Sequence, residues 1–383
     1  MDDIVKLIFL FIMYIVAIIL GYFLSKNKKF DFLKSRDGRF GSIDGLRGYL
    51  AISIFAHHFM LTWYWKNTGH WYRPQELYFQ NIGIVGVMLF FMITGFLFTL
   101  KLDSIKSKFD WIKLYKSRFF RIYPLFLFII ILISLVIFLQ PQFQKNIDFS
   151  KLIEQYSQWI VFHGGNIHTH NHTPLIIAGV DWTLKYEWLF YLSLPFISIL
   201  FLLNRWIVAT ILMFGIYIFF DDLKFYRFTT IHLVFFIIGI ISAKIYEKSY
   251  KFKSFIEHRL ISIVALTLLI YALSYKNIYD IMPIFLISIF FILISMGNSL
   301  FGLLKTDASI LLGEISYSIY LIHGFIIYLT FTIFKFIDLK TISSVEHTYM
   351  LPILIPVVIL SSTLTYLYIE KPAITFGKKS IRK

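Results

Sequence analysis

Long runs of apolar residues recur along the 383-residue chain, separated by shorter polar stretches. Most runs are about 20 residues long, the length that an α-helix needs to cross a bilayer. About eleven runs can be drawn, with approximate bounds 4–24, 44–65, 81–100, 122–140, 182–203, 206–220, 228–246, 260–275, 281–300, 311–334 and 351–370. The pattern therefore predicts an all-α protein, a polytopic transmembrane helix bundle of about 11 spans.

Composition agrees with this prediction. The chain is 58% hydrophobic and 20% aromatic, more apolar surface than a soluble domain can bury. It contains no cysteine, which excludes disulfide frameworks, thiol catalysis and cysteine-bound metals.

The net charge of +15 has a topological explanation. In a soluble protein such a charge would suggest nucleic acid, but here Lys and Arg concentrate in alternate loops, as in 25–43, 101–121, 247–259 and the tail from 371. This asymmetry predicts that the N-terminus lies outside and the C-terminus inside, and it explains the charge without a nucleic-acid partner. The expected location is the bacterial cytoplasmic membrane. The first run follows an acidic start and lacks a clear small-residue cleavage site, so we expect it to be a retained helix and not a signal peptide.

One predicted helix, Ser42–Met60, carries four ionisable residues: Asp44, Arg47, His57 and His58. Arg47 and His58 are eleven residues apart, so they lie within about 20° of one face and about 16 Å apart along the axis. Ionisable groups inside a membrane span are costly and usually functional. We therefore expect this helix to carry the chemistry, although an Arg and a His that only bond to neighbouring helices are an alternative.

The topology gives these two residues different surroundings. Arg47 lies just inside the inner face, where it can meet an anionic group, and His58 lies about 10 Å from the outer edge. His57 points about 100° away, so His58 is favoured as the working histidine.

Glu187 lies in the apolar run that begins near 182, about 8 Å from the outer edge by the same reckoning. That depth is close to the depth expected for His58, so a carboxylate–imidazole pair that fixes the ring tautomer is predicted. Tyr191 follows one turn further on the same face. The alternative is a structural Glu187 bonded to Lys185 or to a backbone group.

Small and polar residues form a stripe in the segment LLGEISYSIYLIHGF. At helical spacing these residues are Gly313, Ser316, Tyr317, Tyr320, His323 and Gly324. In lipid such a stripe faces protein or a water-filled cavity, and helix packing alone is an equal alternative.

The inner segment KSRFFRIYP contributes Lys116, Arg118 and Arg121, with the two arginines almost one turn apart. Arginine forks suit phosphate groups, whereas topology or contact with anionic lipid would explain an arbitrary basic loop.

Four histidines cluster in the long outer segment between about 140 and 181: His163, His168, His170 and His172. Alternating histidines can bind zinc or copper, but no carboxylate ligand lies nearby and no regular element fixes the geometry. We favour a polar, substrate-facing loop and expect no metal.

Several ordered motifs resemble the acyltransferase 3 family of bacterial membrane proteins, many of which O-acetylate surface glycans. IDGLRG with ten residues between Arg47 and His58 matches the family's Arg-x10-His signature, and Thr94 stands in GVMLFFMITGFL where Ser is common. KSRFFRIYP, WTLKYEWLFYLSLP, ISYSIYLIH and YIEKPAITFGKK match further elements. The resemblance runs from about 41 to 379. It implies that 1–40 is an extra N-terminal helix with a basic linker, that 41–379 is the membrane domain with ten core helices, and that 380–383 is a cytosolic tail.

The resemblance implies acyl transfer from acyl-CoA, with Arg47 and His58 as the essential pair. Acetyl-CoA is the favoured co-substrate, and no permanently bound cofactor is expected. Some members carry a C-terminal esterase-like domain that this sequence lacks, so we expect direct transfer within the membrane domain.

These lines combine into one mechanism. Lys116, Arg118 and Arg121 join Arg47 in binding the acyl-CoA phosphates, while His58 acts as general base on the acceptor hydroxyl or forms an acyl-histidine. Glu187 orients His58, with Asp44 as the less favoured orienting group. The expected lining of the acceptor cavity is Ser316, Tyr317, Tyr320, His323 and Tyr191. A lipid-linked or nascent polysaccharide is the favoured acceptor, with peptidoglycan, small glycosides and lipids as alternatives.

Two other functions are alternatives to an enzyme. Buried Arg, His and Glu also suit a proton-coupled transporter or flippase, although the sequence shows neither an inverted repeat nor matched broken helices. A non-catalytic assembly factor would leave the buried Arg47 and His58 unexplained.

Overall fold

The computed structural model describes residues 1–33, 40–103, 110–139, 147–202, 229–248 and 252–382. These residues are predominantly helical, and the only strand-like feature among them is one isolated bridge between Ile167 and His170. The predicted all-α class is therefore confirmed. The predicted span at 206–220 lies outside the described residues.

Fifteen α-helices are defined in the described chain. They are α1 (Asp2–Ser25), α2 (Gly41–Thr68), α3 (Leu77–Asp103), α4 (Trp111–Phe138), α5 (Phe149–Ile160), α6 (Trp182–Leu202), α7 (Ile231–Lys248), α8 (Lys253–Ile256), α9 (Arg259–Leu273), α10 (Ile281–Ser295), α11 (Asp307–Glu314), α12 (Ser316–Tyr328), α13 (Ser344–Thr348), α14 (Leu351–Thr365) and α15 (Lys371–Arg382). Short 3-10 turns lie at Lys28–Leu33, Thr173–Ile177 and Leu303–Lys305, and π-turns at Leu329–Ile333 and Tyr366–Glu370.

Five helical stretches of the described chain are long and apolar enough to cross a membrane. They are Asp2–Ser25, Leu77–Leu102, Trp111–Phe138, Ser316–Ile333 and Ser344–Ser380. Two shorter apolar helices, α9 and α10, accompany them. The chain is thus a multi-pass membrane protein, and the count of eleven spans stays a prediction.

Helix α2 packs against α3, α11 and α12, and glycines let it approach α11 closely. A Cβ atom built on Gly313 would lie 1.7 Å from the backbone oxygen of Asp44, and one on Gly48 would lie 2.6 Å from Leu312 Cβ. Backbones that touch in this way are typical of small-residue packing between membrane helices. The contact fixes the depth and rotation of the start of α2, which carries Arg47.

The last two predicted spans are interrupted in the structure. The 311–334 run breaks at Ile315, between α11 and α12, and ends in a π-turn. The final span passes through the π-turn Tyr366–Glu370 and continues as α15. Such π-turns are frequent at functional sites because they reorient side chains within a helix.

Helix α1 is joined to the bundle by polar contacts as well as apolar packing. The buried ammonium of Lys6 forms an ion pair with Glu76, and the hydroxyls of Tyr14 and Ser53 are 2.6 Å apart. Polar bonds between helices help to fix their register inside a membrane. Helix α1 is therefore an integral part of this bundle.

The segment between α5 and α6 descends along α12. His170 Nε2 lies 3.3 Å from the Tyr328 hydroxyl, Gly324 touches the 3-10 turn, and the Tyr320 hydroxyl donates to Val180 O at 3.0 Å. Tyr328, Gly324 and Tyr320 lie one turn apart along α12. The segment therefore extends about 12 Å along this helix into the bundle. Helix α6 consequently begins inside the bundle.

We expect Gly313→Ala to destabilise the protein by about 1–3 kcal/mol, the usual effect of overpacking. The added methyl group has no space beside the Asp44 carbonyl oxygen. Thermal melting of the purified protein in detergent measures the effect. Gly41→Ala is the matched control, because its Cβ would lie 3.6 Å from the nearest atom. If both variants melted like the wild type, the close α2–α11 contact would be wrong.

Candidate active site

An internal cavity of about 140 Å³ lies among α2, α3, α4, α6 and α12. Its polar lining is formed by Arg47, Thr94, Arg118, Arg121, Thr183, Glu187, Tyr191, Ser316, Tyr317 and Tyr320. The structure thus brings together most residues of the predicted site, from four separate stretches of sequence. Lys116, Asp44, His58 and His323 do not line this cavity.

Two partly buried arginines of the cavity are balanced by carboxylates that were not predicted from the sequence. Glu314 and Glu370 act electrostatically on both Arg47 and Arg121, and Asp44 adds its charge at Arg47. A buried charge is tolerated only when it is paired and hydrogen-bonded. The signal for Glu314 and Glu370 was available, because each is a lone carboxylate in an apolar run, the criterion that selected Glu187.

The two carboxylates are themselves fixed by hydrogen bonds. The Tyr366 hydroxyl donates to Glu314 Oε1 at 2.6 Å, and the Ser318 hydroxyl donates to Glu370 Oε2 at 2.9 Å. Glu370 is only 1% exposed. One π-turn begins at Tyr366 and ends at Glu370. That turn therefore supplies the Glu370 carboxylate and also the Tyr366 hydroxyl that orients the Glu314 carboxylate.

Arg118 is held differently from the other two arginines. Its guanidinium lies over the rings of Phe98 and Tyr191, 5.2 and 5.9 Å from their centroids. Its buried Nε atom has no hydrogen-bond partner in the described chain, and neither does the buried Ser316 hydroxyl. Buried polar atoms are normally bonded, so two unpartnered groups on one cavity indicate a polar ligand.

His58 pairs with His323. His58 Nδ1 lies 2.9 Å from His323 Nε2, and the two rings are tilted by only 17°. His323 is fully buried, and its Nδ1 lies 3.0 Å from the carbonyl oxygen of Ile319. The two histidines are contributed by α2 and α12, which pack directly against each other.

These contacts determine the tautomers of a neutral pair. A carbonyl oxygen only accepts, so His323 Nδ1 carries a proton and its Nε2 accepts. His58 Nδ1 must then donate, which leaves the lone pair on His58 Nε2. The assignment follows from the hydrogen-bond network. It gives His58 the form that a general base requires.

The expected pairing of Glu187 with His58 is corrected by this geometry. Glu187 instead accepts a hydrogen bond from the Tyr191 hydroxyl, and its charge acts on Arg121. The predicted depth of Glu187 holds only for a helix that starts at the outer edge of the membrane. Because Thr183 already contacts Tyr320 inside the bundle, Glu187 lies about 6 Å deeper still, in the arginine cavity.

Two neighbouring residues also find other partners. The Lys185 ammonium lies 3.0 Å from His163 Nδ1, so Lys185 is directed to the outer segment and not to Glu187. His57 Nδ1 lies 2.9 Å from Phe79 O and turns toward α3.

Aromatic residues cover His58 on the side of the α2–α3 loop. The Trp71 ring stacks on the His58 ring, with centroids 6.2 Å apart and planes 18° apart. Trp65 meets Trp71 edge-on at 5.7 Å, and the neighbouring Tyr72 is 74% exposed. An aromatic surface therefore lies between His58 and the outside of the bundle.

The predicted histidine cluster is dispersed. Buried His170 contacts Thr173 and Tyr328, while His163 contacts Lys185. No group of three potential metal ligands occurs among His163, His168, His170, His172 and the other described residues.

The fold and this site define a multi-pass membrane protein with a buried, arginine-lined cavity and a histidine pair. The family model described as "Acyltransferase domain" matches residues 40–368. The chain therefore belongs to this acyltransferase family, as the resemblance predicted. No solved structure shows a significant match.

Three curated relatives are similar over less than half of the chain. Peptidoglycan O-acetyltransferase OatA of Listeria monocytogenes is 26% identical over 177 residues, which are 43% of this chain and 25% of that protein. Acyltransferase MdmB of Streptomyces mycarofaciens is 26% identical, over 41% of this chain and 38% of that protein. O-acetyltransferase OatA of Staphylococcus aureus is 28% identical, over 43% of this chain and 25% of that protein. The match thus spans well under half of each relative.

Proposed function

We propose that this protein is a membrane O-acyltransferase that moves an acyl group, acetyl being favoured, from acyl-CoA to a carbohydrate hydroxyl. The main observation in support is that α12 contacts both an arginine-lined cavity and, one turn further on, a histidine pair whose tautomers are fixed by hydrogen bonds. Family membership supports acyl transfer, and two relatives are named as O-acetyltransferases. The donor enters from the cytosolic, basic side of a bacterial cytoplasmic membrane, with the N-terminus outside and the C-terminus inside.

The arginines supply the donor site. Arg118, with an unpartnered Nε, and the carboxylate-balanced Arg47 and Arg121 present planar donor groups that suit phosphates. The cavity of about 140 Å³ is smaller than the ~300–1,000 Å³ of typical small-molecule sites. It therefore suits the thin thioester arm of acyl-CoA, while the nucleotide stays at the entrance with Lys116.

His58 Nε2 supplies the base. It takes the proton of the acceptor hydroxyl as that oxygen attacks the thioester carbonyl carbon, and the carbon–sulfur bond breaks to release the CoA thiolate. General-base assistance of this kind contributes about 10²–10⁴ in rate. The same lone pair would form an acyl-histidine in a two-step route. His323 is a positioning residue, since it holds the His58 proton on Nδ1.

The carbohydrate class of the acceptor is supported by the surroundings of His58. Trp71 and Trp65 form an aromatic surface beside the His58 ring, and exposed Tyr72 follows. Aromatic rings with polar edges suit ligands that combine apolar faces with hydroxyl groups, as sugars do. A lipid-linked or nascent polysaccharide reaches this surface from outside.

For the donor site, we expect Arg118→Met to weaken acyl-CoA binding about 10- to 100-fold, the range of a charge-assisted hydrogen bond. The variant keeps an apolar stem against Phe98 and Tyr191 but removes the guanidinium. Calorimetry with purified protein and acetyl-CoA measures the affinity. Lys113→Met, an exposed position on the same helix, is the control. Equal affinities for wild type and Arg118→Met would remove Arg118 from the donor site.

For the base, we expect His58→Gln to lower acyl transfer at least about a hundredfold. Glutamine can still bond to His323 through its amide but cannot take up a proton at neutral pH. The readout is transfer of radiolabelled acetyl groups to carbohydrate by protein in liposomes. His57→Gln serves as control and should keep most activity. Wild-type transfer by a folded His58→Gln protein would refute the mechanism, and proton-coupled export without acyl transfer would support a transporter.

For the positioning residue, we expect His323→Ala to lower kcat about tenfold or more and to change its pH profile. The His58 Nδ1 proton then loses its acceptor nitrogen on His323. His323→Gln should recover part of the rate, because its amide oxygen can accept from His58 Nδ1. A purely structural role would lower the melting temperature of both variants without changing the pH profile of the folded enzyme. That result would exclude tautomer control.

A further inference from the structure

A groove of about 550 Å³ lies at the basic end of the bundle, between the turn that follows α1 and the junction of α14 with α15. Three lysines line it, Lys29, Lys371 and Lys379, together with the rings of Tyr368 and Phe376. The two aromatic residues are 65% and 61% exposed. The groove is separate from the arginine cavity, with which it shares no lining residue.

The lysines of the groove contact neutral groups and not carboxylates. Lys29 Nζ donates to the Tyr368 hydroxyl at 3.1 Å, and Lys371 Nζ donates to the backbone oxygen of Lys29 at 3.1 Å. None of the three lysines forms a salt bridge among the described residues, although the charge of Glu314 acts on Lys371 at longer range. Neutral partners hold two ammonium groups in place beside the groove, which favours an anionic ligand.

An exposed apolar stripe on α14 leads to the groove. Its members are Ile353, Val357, Leu360 and Leu364, with exposed fractions of 67%, 47%, 45% and 57%. They recur every three or four residues and therefore share one helix face, which Tyr368 continues at the next turn. Exposed aliphatic residues on a membrane helix face lipid chains. The lysine groove thus lies at the end of the apolar stripe, and that stripe can contact lipid chains.

We propose that this groove binds the phosphate headgroup of an anionic phospholipid whose acyl chains lie along the α14 stripe. Basic pockets at the ends of membrane helices recognise anionic headgroups in this way. A nucleotide also carries negatively charged phosphates, but it has no hydrocarbon chain that would contact the apolar stripe. The proposal is independent of the acyl-transfer function, and either can fail alone.

The test uses the full chain purified in detergent. Native mass spectrometry counts bound phosphatidylglycerol and phosphatidylcholine during titration with each lipid. The wild type should retain phosphatidylglycerol preferentially. Lys29→Gln with Lys379→Gln should weaken that binding about fivefold per lysine, with phosphatidylcholine binding unchanged. Lys371 stays in place because it bonds to the backbone of Lys29.

The matched control combines Lys378→Gln and Lys113→Gln. Both positions are exposed at the same basic end, and neither lines the groove. An equal loss of phosphatidylglycerol in control and groove variants would overturn the proposal, because it would indicate general charge attraction. Unchanged binding in the groove variant would also overturn it. Loss of CoA binding with retained phosphatidylglycerol would reassign the groove to a nucleotide. Melting curves verify that each variant is folded.

Discussion

The structure depends on how Arg47 and Arg121 are kept charged inside an apolar bundle. An uncompensated charge in a low-dielectric interior is costly, so the carboxylates that act electrostatically on these arginines constrain the fold as well as the site. Glu314 ends α11, Glu370 ends the last π-turn, and both act on the arginines of α2 and α4. Electrostatic balance therefore ties four distant parts of the chain to one location. The close packing of α2 against α11 at Gly313 holds the helix of Arg47 beside the helix that ends at Glu314.

Helix α12 connects that charged location to the histidine pair. Ser316, Tyr317 and Tyr320 line the arginine cavity, and His323 follows Tyr320 by almost one turn and lies beside His58. Successive turns of one helix thus contact the proposed donor site and the proposed base. The descending outer segment supports the same face, since Val180 and Thr183 both bond to the Tyr320 hydroxyl. Its entry into the bundle brings Glu187 to the arginines.

Most residues of this site are predictable from the sequence, because buried polar residues in apolar runs are conspicuous. The stripe on α12, the arginines of α4 and the shared face of Arg47 and His58 all follow from helical spacing. The partner of Glu187 did not follow, because depth was counted from the end of a hydropathy run. A loop that re-enters the bundle leaves no periodic signal, so only the structure could shift α6 inward. Glu314 and Glu370 illustrate a different limit. Both stand out as carboxylates in apolar runs, but their partners depend on the helix break at Ile315 and on the π-turn Tyr366–Glu370, which an ideal periodicity does not register.

The histidine pair also bears on the choice between an enzyme and a proton-coupled transporter. A proton relay across a membrane needs groups that can both accept and release a proton at each step. The chain from His58 passes to His323 and then ends on the Ile319 carbonyl oxygen, which has no proton to pass on. A proton taken up by His58 Nε2 must therefore leave by the same nitrogen, as in the proposed acid–base catalysis, in which the leaving thiolate receives it. The hydrogen-bond network favours local proton exchange at His58 over conduction toward the arginine cavity.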